Sequence, residues 1–92
     1  TGCLVMPSGE RLPLGAQVIT VGRLPACSIT INDANVSRNH AEIRAKGSSF
    51  VVVDLGSTNG TKLNGNRITG ENALKDGDVV SFGGTNIRFE AS

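Results

Sequence analysis

Ala41-Glu42-Ile43-Arg44-Ala45-Lys46, followed shortly by Phe50-Val51-Val52-Val53, is the stretch that decides the fold. The first segment alternates apolar and polar residues with a period of two, the pattern of a half-buried β-strand. The second is an unbroken run of one aromatic and three β-branched residues, which suits a strand covered on both faces or a strand near the centre of a sandwich. Moving outward, the alternation recurs at Ser28-Ile29-Thr30-Ile31 and Asn86-Ile87-Arg88-Phe89-Glu90, and the continuous runs recur at Val18 to Val21 and Val79 to Phe82. Between them stand Asn59-Gly60, Asn64-Gly65, Asp76-Gly77 and Gly83-Gly84, residue pairs that supply the positive φ angles of tight turns. Asn59-Gly60 fits a type I′ turn and Asp76-Gly77-Asp78 a hairpin turn. No apolar period of 3.6 persists long enough for a helix. The expected fold class is all-β, an antiparallel β-sandwich, with residues 1–92 forming one domain and no internal repeat or linker.

Composition narrows the functions open to such a domain. Nine Lys and Arg balance eight Asp and Glu, so no broad field points toward nucleic acid or a membrane surface, and any bound anion must be gripped locally. Trp and Tyr are absent and the three Phe residues sit in strand patterns, which leaves no stacking platform for bases. No apolar run approaches the length of a bilayer span. Cys3 and Cys27 are too few for a disulfide-stapled secreted scaffold and read as reduced thiols, which with the lack of a signal-peptide pattern places the expected location inside the cell, in cytoplasm, nucleus or an organelle. Opening on Thr1-Gly2 without an initiator Met, the chain reads as a domain cut from a longer protein.

Four polar, loop-like blocks interrupt the strand patterns: Gly22-Arg23, Asn35-Val36-Ser37-Arg38-Asn39-His40, Gly56-Ser57-Thr58-Asn59-Gly60-Thr61 and Leu63-Asn64-Gly65. Loops carried on a rigid scaffold are where binding residues collect. In this order and near these separations, with Val21-Gly22-Arg23 closing one strand, His40-Ala41-Glu42-Ile43 opening another and Asp76-Gly77-Asp78 followed by Phe82-Gly83, the blocks resemble the signature of the forkhead-associated (FHA) family over almost the whole chain. The resemblance implies a sandwich of about eleven strands that holds phosphothreonine on loops at one end, a recognised mode of phospho-motif binding.

Specific roles follow from the same resemblance. Arg23 is assigned to the phosphate, a role its forked guanidinium suits because threonine phosphate carries roughly −1.5 to −2 charges. Ser37, with a hydroxyl and a backbone N–H able to converge on one oxygen, is a second phosphate ligand, and Arg38 adds charge at the rim, on phosphate or on peptide. Thr58 contacts the phosphate and shapes a pocket for the threonine methyl, while the Asn59 amide brackets the peptide backbone with one donor and one acceptor. Gly22, His40, Ser57, Gly60, Asn64 and Gly65 structure the loops. Selectivity beyond the phosphothreonine, often set about three residues C-terminal to it in the family, falls on variable loop residues such as Asn35, Asn39, Asn64 and Arg67. One extra buried methyl is worth about 0.8 kcal/mol, so the preference for phosphothreonine over phosphoserine also draws on the restricted χ1 of a β-branched side chain.

Competing readings are weaker. His40, the only histidine, lies three residues from Ser37, yet the chain has no Gly-x-Ser-x-Gly elbow, since Gly56-Ser57-Thr58-Asn59-Gly60 carries its serine one place early. Asp76-Gly77-Asp78 lacks the remaining oxygen ligands of a calcium loop, so no metal and no cofactor is expected. Asn35-Val36-Ser37 and Asn59-Gly60-Thr61 fit the glycosylation pattern, which matters only in the secretory pathway. Cys27 reads as a buried, inert thiol. The expected function is a monomeric adaptor that docks a phosphothreonine-containing protein without changing it chemically; the alternative is a sandwich that binds an unphosphorylated surface.

Overall fold

In the computed structural model, which describes residues 2–91, the two deciding segments form β5 (Ala41–Lys46) and β6 (Ser49–Asp54), paired antiparallel from Ala41↔Asp54 to Lys46↔Ser49. The expectation of a domain over 1–92 reaches one residue beyond the described range at each terminus. Ala41 and Ile43 turn inward and are buried, whereas Glu42 and Arg44 turn outward and pair with each other. Phe50, Val51 and Val52 are all buried, as a strand covered on both faces requires.

Around this pair the chain builds β1 (Gly2–Val5), β2 (Arg11–Leu14), β3 (Ile19–Gly22), β4 (Ile29–Thr30), β7 (Thr61–Leu63), β8 (Asn66–Ile68), β9 (Glu71–Ala73), β10 (Val79–Phe82) and β11 (Thr85–Ala91). Eleven strands lie in two sheets, ordered β2-β1-β11-β10-β7-β8 and β4-β3-β5-β6-β9, and no helix is present among the described residues. The fold is thus the all-β sandwich anticipated from the alternation. Leu4, Val21, Ile43, Val52, Val80, Phe82, Ile87 and Phe89 fill the space between the sheets, each nearly inaccessible to solvent.

Four local expectations are corrected. The alternating segment 28–31 yields only the two-residue β4, and it runs parallel to β3, the one parallel pair among the described residues. Val18 is exposed and precedes β3, so the run Val18 to Val21 is not a strand covered on both faces. Asp76-Gly77-Asp78 forms a tight turn, with Gly77 at φ 87° and the Asp78 N–H on the Lys75 carbonyl, but it joins β9 to β10, which lie in different sheets, and so is not a hairpin. Asn59-Gly60 also connects two sheets, and only Gly60 has positive φ, which excludes type I′. The type I′ signature belongs to Asn64-Gly65, at φ 52° and 84° between paired β7 and β8.

Candidate functional site

Four connections meet at one end of the sandwich: the segment after β3, the long loop from β4 to β5, the loop from β6 to β7, and the β10–β11 turn. Backbone hydrogen bonds stitch them together. The Arg23 N–H donates to the carbonyls of both Ser37 and Arg38, the His40 N–H to Val21, and the Leu55 N–H to His40. Gly22 is required at this crossing, because a Cβ there would stand 2.0 Å from the Arg38 carbonyl oxygen. At Gly60, φ 82° is joined by a second restriction, the Arg67 Nε 2.5 Å from where a Cβ would sit.

The three buried polar side chains among the described residues, His40, Ser57 and Thr61, all serve this end. His40 is fully buried and bridges two loops: its Nδ1 accepts the Ser37 N–H at 3.0 Å and its Nε2 lies 2.9 Å from the Gly60 carbonyl. A carbonyl can only accept, so the proton resides on Nε2 and the ring is the neutral Nε2–H tautomer. The ring edge also meets Phe82, with centroids 5.6 Å apart at 88°. Both ring nitrogens are committed, and the one facing Ser37 holds its amide rather than its hydroxyl. The arrangement offers no base to a Ser37 nucleophile.

Ser57 and Thr61 converge on Asp54, a residue the sequence reading did not single out. Asp54 Oδ1 accepts from Ser57 Oγ at 2.5 Å and Thr61 Oγ1 at 2.8 Å, while Oδ2 accepts the N–H groups of Gly56 and Ser57. Burial alone would push the Asp54 carboxyl up, but these four donors together hold it below the usual carboxylate range. Asp33, likewise missed, clips the β4–β5 loop to the β10–β11 turn through the N–H groups of Asn35 and Gly84, and its carboxyl is lowered by those two bonds. Both aspartates make the local side chain to backbone bond, two residues forward, that marks an Asx turn, so their signal was present in the sequence.

On this framework Arg23, Ser37, Thr58 and Asn59 border a single open pocket of about 150 Å³, with Asn35, Ala34 and Val36 completing its wall. Ser37 Oγ accepts the Thr58 N–H at 3.1 Å, tying the two loops at the pocket floor. Asn59 Nδ2 donates to the Asn35 carbonyl at 3.0 Å, which leaves its Oδ1 and second amide proton for a ligand. Arg23 and Arg38 are exposed and without an ion-pair partner among the described residues, whereas Arg11, Arg44, Lys46 and Arg88 are each paired with a glutamate.

Three expectations change here. The Ser37 N–H points inward to His40 and is not free to meet a phosphate oxygen, so only its hydroxyl faces the pocket. Asn64 lies at the far end of β7, its amide spent on Asp78 and on the Val79 N–H, and so cannot read a ligand at this pocket. Gly65 shares that hairpin. Cys27 is half-buried rather than buried, its Sγ near the Arg38 carbonyl, and both cysteines are unpaired.

Comparison with known proteins accords with this geometry. An FHA domain family model matches residues 19–83, from the start of β3 to the β10–β11 turn. The oxoglutarate dehydrogenase inhibitor of Corynebacterium diphtheriae is 42% identical over 82 residues, 89% of this chain and 57% of that protein, so the chain spans little more than half of this relative's length. Mycobacterium tuberculosis EmbR, solved in complex with a low-affinity phosphopeptide, superposes with a TM-score of 0.92 at 35% identity, over 99% of this chain and 24% of that one. The FhaA FHA domain, solved in complex with the intracellular domain of another protein, gives 0.88 at 34% identity over 98% and 100% of the two chains. A sandwich of eleven strands, a family model covering most of its length and relatives at this level of identity agree: the chain belongs to the FHA domain family.

Proposed function

We propose that this chain is a phosphothreonine-dependent peptide-binding module that acts as an intracellular, monomeric signalling adaptor and not as an enzyme. The observation that carries the reading is the convergence of Arg23, Ser37, Thr58 and Asn59, drawn from three separate connections, on one pocket. Arg23 supplies the forked charge for the phosphate, and the hydroxyls of Ser37 and Thr58 supply neutral donors beside it. Asn59 holds the peptide backbone through the half of its amide not spent on Asn35. Ala34, exposed at the pocket's edge, gives an apolar contact against which a threonine methyl can rest. Arg38 stands at the rim and adds to the local potential. The complex of EmbR with a phosphopeptide supports phosphopeptide binding by similarity.

A nearly neutral domain gains anion affinity here because its pocket cations lack internal partners and because the loops are hydrogen-bonded before a ligand arrives, which lowers the entropy lost on binding. Calorimetry with a phosphothreonine peptide selected from an oriented library tests the reading. Arg23→Ala should abolish measurable binding while the folded spectrum is retained, and phosphatase treatment of the peptide should do the same to the wild type. Equal affinity for treated and untreated peptide would favour a sandwich that binds an unphosphorylated surface.

A further inference from the structure

Beside the phosphate pocket, and sharing Asn35 and Asn59 with it, lies a second groove of about 240 Å³ whose other walls are Gly60, Lys62, Ser81 and Gly83. Lys62 stands directly opposite Arg67 in the β7–β8 pair and opposite Ser81 in the β7–β10 pair, so the three side chains form a lateral row on the outer face of the six-stranded sheet. Like charges in direct cross-strand opposition disfavour the pairing unless a counter-ion lies between them. None does: neither Lys62 nor Arg67 has an ion-pair partner among the described residues. The Arg67 side chain also leans over Gly60, toward the loop that carries Asn59. Asp33, beside Gly83 and Gly84, does not line the groove, and its oxygens are taken by the N–H groups of Asn35 and Gly84. The groove is therefore cationic on its β7–β8 side, and no carboxylate is among the residues that line it.

We infer that Lys62 and Arg67 form an anion subsite that reads a second negative side chain, a carboxylate or a second phosphate, on the same peptide whose phosphothreonine occupies the Arg23 pocket. The inference rests on the phosphopeptide reading above and extends it from the phosphate to the sequence around it. The occupant follows from continuity: the two concavities share Asn35 and Asn59, so an extended peptide lying along Asn59 enters the groove without leaving the surface. Its chemistry follows from the two unneutralised cations, which would repel a basic side chain and leave an apolar one without a matching wall.

The test uses a short Ala/Ser peptide with a central phosphothreonine, in which one Glu is moved through each flanking position, and then a phosphoserine at the best of them. Binding to the wild type is compared with Lys62→Gln, Arg67→Gln, the double variant and Lys75→Gln, whose lysine lies in the turn at the other end of β10. One Glu position should improve wild-type affinity by up to about fivefold at low salt, an effect that added salt weakens, as for an exposed ion pair. A phosphoserine there should gain more. The ratio of Glu to Ala peptide affinity should fall toward one in the double variant and persist in Lys75→Gln. A flat scan, a ratio that survives in the double variant, or one lost equally in Lys75→Gln would overturn the subsite while leaving phosphothreonine binding standing. Failure of every peptide to distinguish phosphorylated from unphosphorylated threonine would instead remove the reading on which the subsite depends.

Discussion

Replacing His40 by alanine tests how the binding loops are held. The ring satisfies two buried backbone groups that belong to different loops, the Ser37 N–H and the Gly60 carbonyl. Its removal orphans both, at about 1–3 kcal/mol each. The edge-on contact with Phe82 adds about 0.5–1.5 kcal/mol. The expected loss is roughly 2.5–7.5 kcal/mol, a large share of the roughly 5–15 kcal/mol that holds a domain folded. Because the alanine variant could fall below its folding threshold, the two bonds are best separated with amides. Asparagine places its oxygen near the level of Nδ1 and keeps an acceptor for Ser37, whereas glutamine reaches the level of Nε2 and keeps a donor for Gly60. Urea unfolding gives the stability, and amide hydrogen exchange read by NMR gives the opening of each loop. His40→Asn should preserve protection of the Ser37 amide while the 56–60 loop loosens, and His40→Gln should do the reverse. A loss below about 1 kcal/mol in His40→Ala, with the Ser37 amide still protected, would refute the bridging role.

Other consequences can be measured on the same domain. Gly22→Ala drives a methyl into the Arg38 carbonyl, so urea unfolding should record a loss of about 1–3 kcal/mol or more, since backbone and not a flexible side chain must yield. The depressed carboxyl of Asp54 contributes stability that is fully present above its unfolded value, near pH 4 by reference peptides, and lost as pH falls through its lower folded value. Asp54→Asn should accordingly flatten the acid limb of a stability profile, with the remaining slope due to groups such as Asp33 and Glu90; an unchanged limb would contradict the anchoring role. Matched phosphoserine and phosphothreonine peptides should differ by about fourfold or more in favour of threonine, from one buried methyl and a stiffer χ1, and equal Kd values would dismiss that explanation.

Much of the architecture was legible in the residues because burial imposes a period. Ile43, Ile87 and Phe89 alternate with outward polar neighbours, and strands appear where that alternation stands. Turn chemistry was a weaker guide. Asp76-Gly77 announces a left-handed residue, but nothing in a dipeptide says whether the chain returns to its own sheet or crosses to the other. The alternation at 28–31 announced a strand but not its brevity or its parallel partner, because the pairing with β3 is completed by a carbonyl of Gly22 that accepts from Ile31. At the site, Arg23, Ser37, Thr58 and Asn59 were found through the resemblance of their loop blocks, and their meeting in space required the fold. The direction of the Ser37 N–H could not be read, because it is decided by a ring three residues away buried against Phe82. Lys62 was invisible for a related reason: its importance lies in standing opposite Arg67, a fact of register and not of local sequence.

The claim that most depends on this geometry is that one doubly charged group is held between the Arg23, Ser37 and Thr58 side chains. A titration of isotope-labelled domain with a phosphothreonine peptide, followed through amide shifts and the Arg23 guanidinium resonance, tests it most directly. Shifts should concentrate at Arg23, Ser37, Thr58 and Asn59, saturate together and vanish when the peptide is dephosphorylated. Saturable, phosphate-dependent shifts centred elsewhere on the sandwich, with the Arg23 resonance unmoved, would contradict the account.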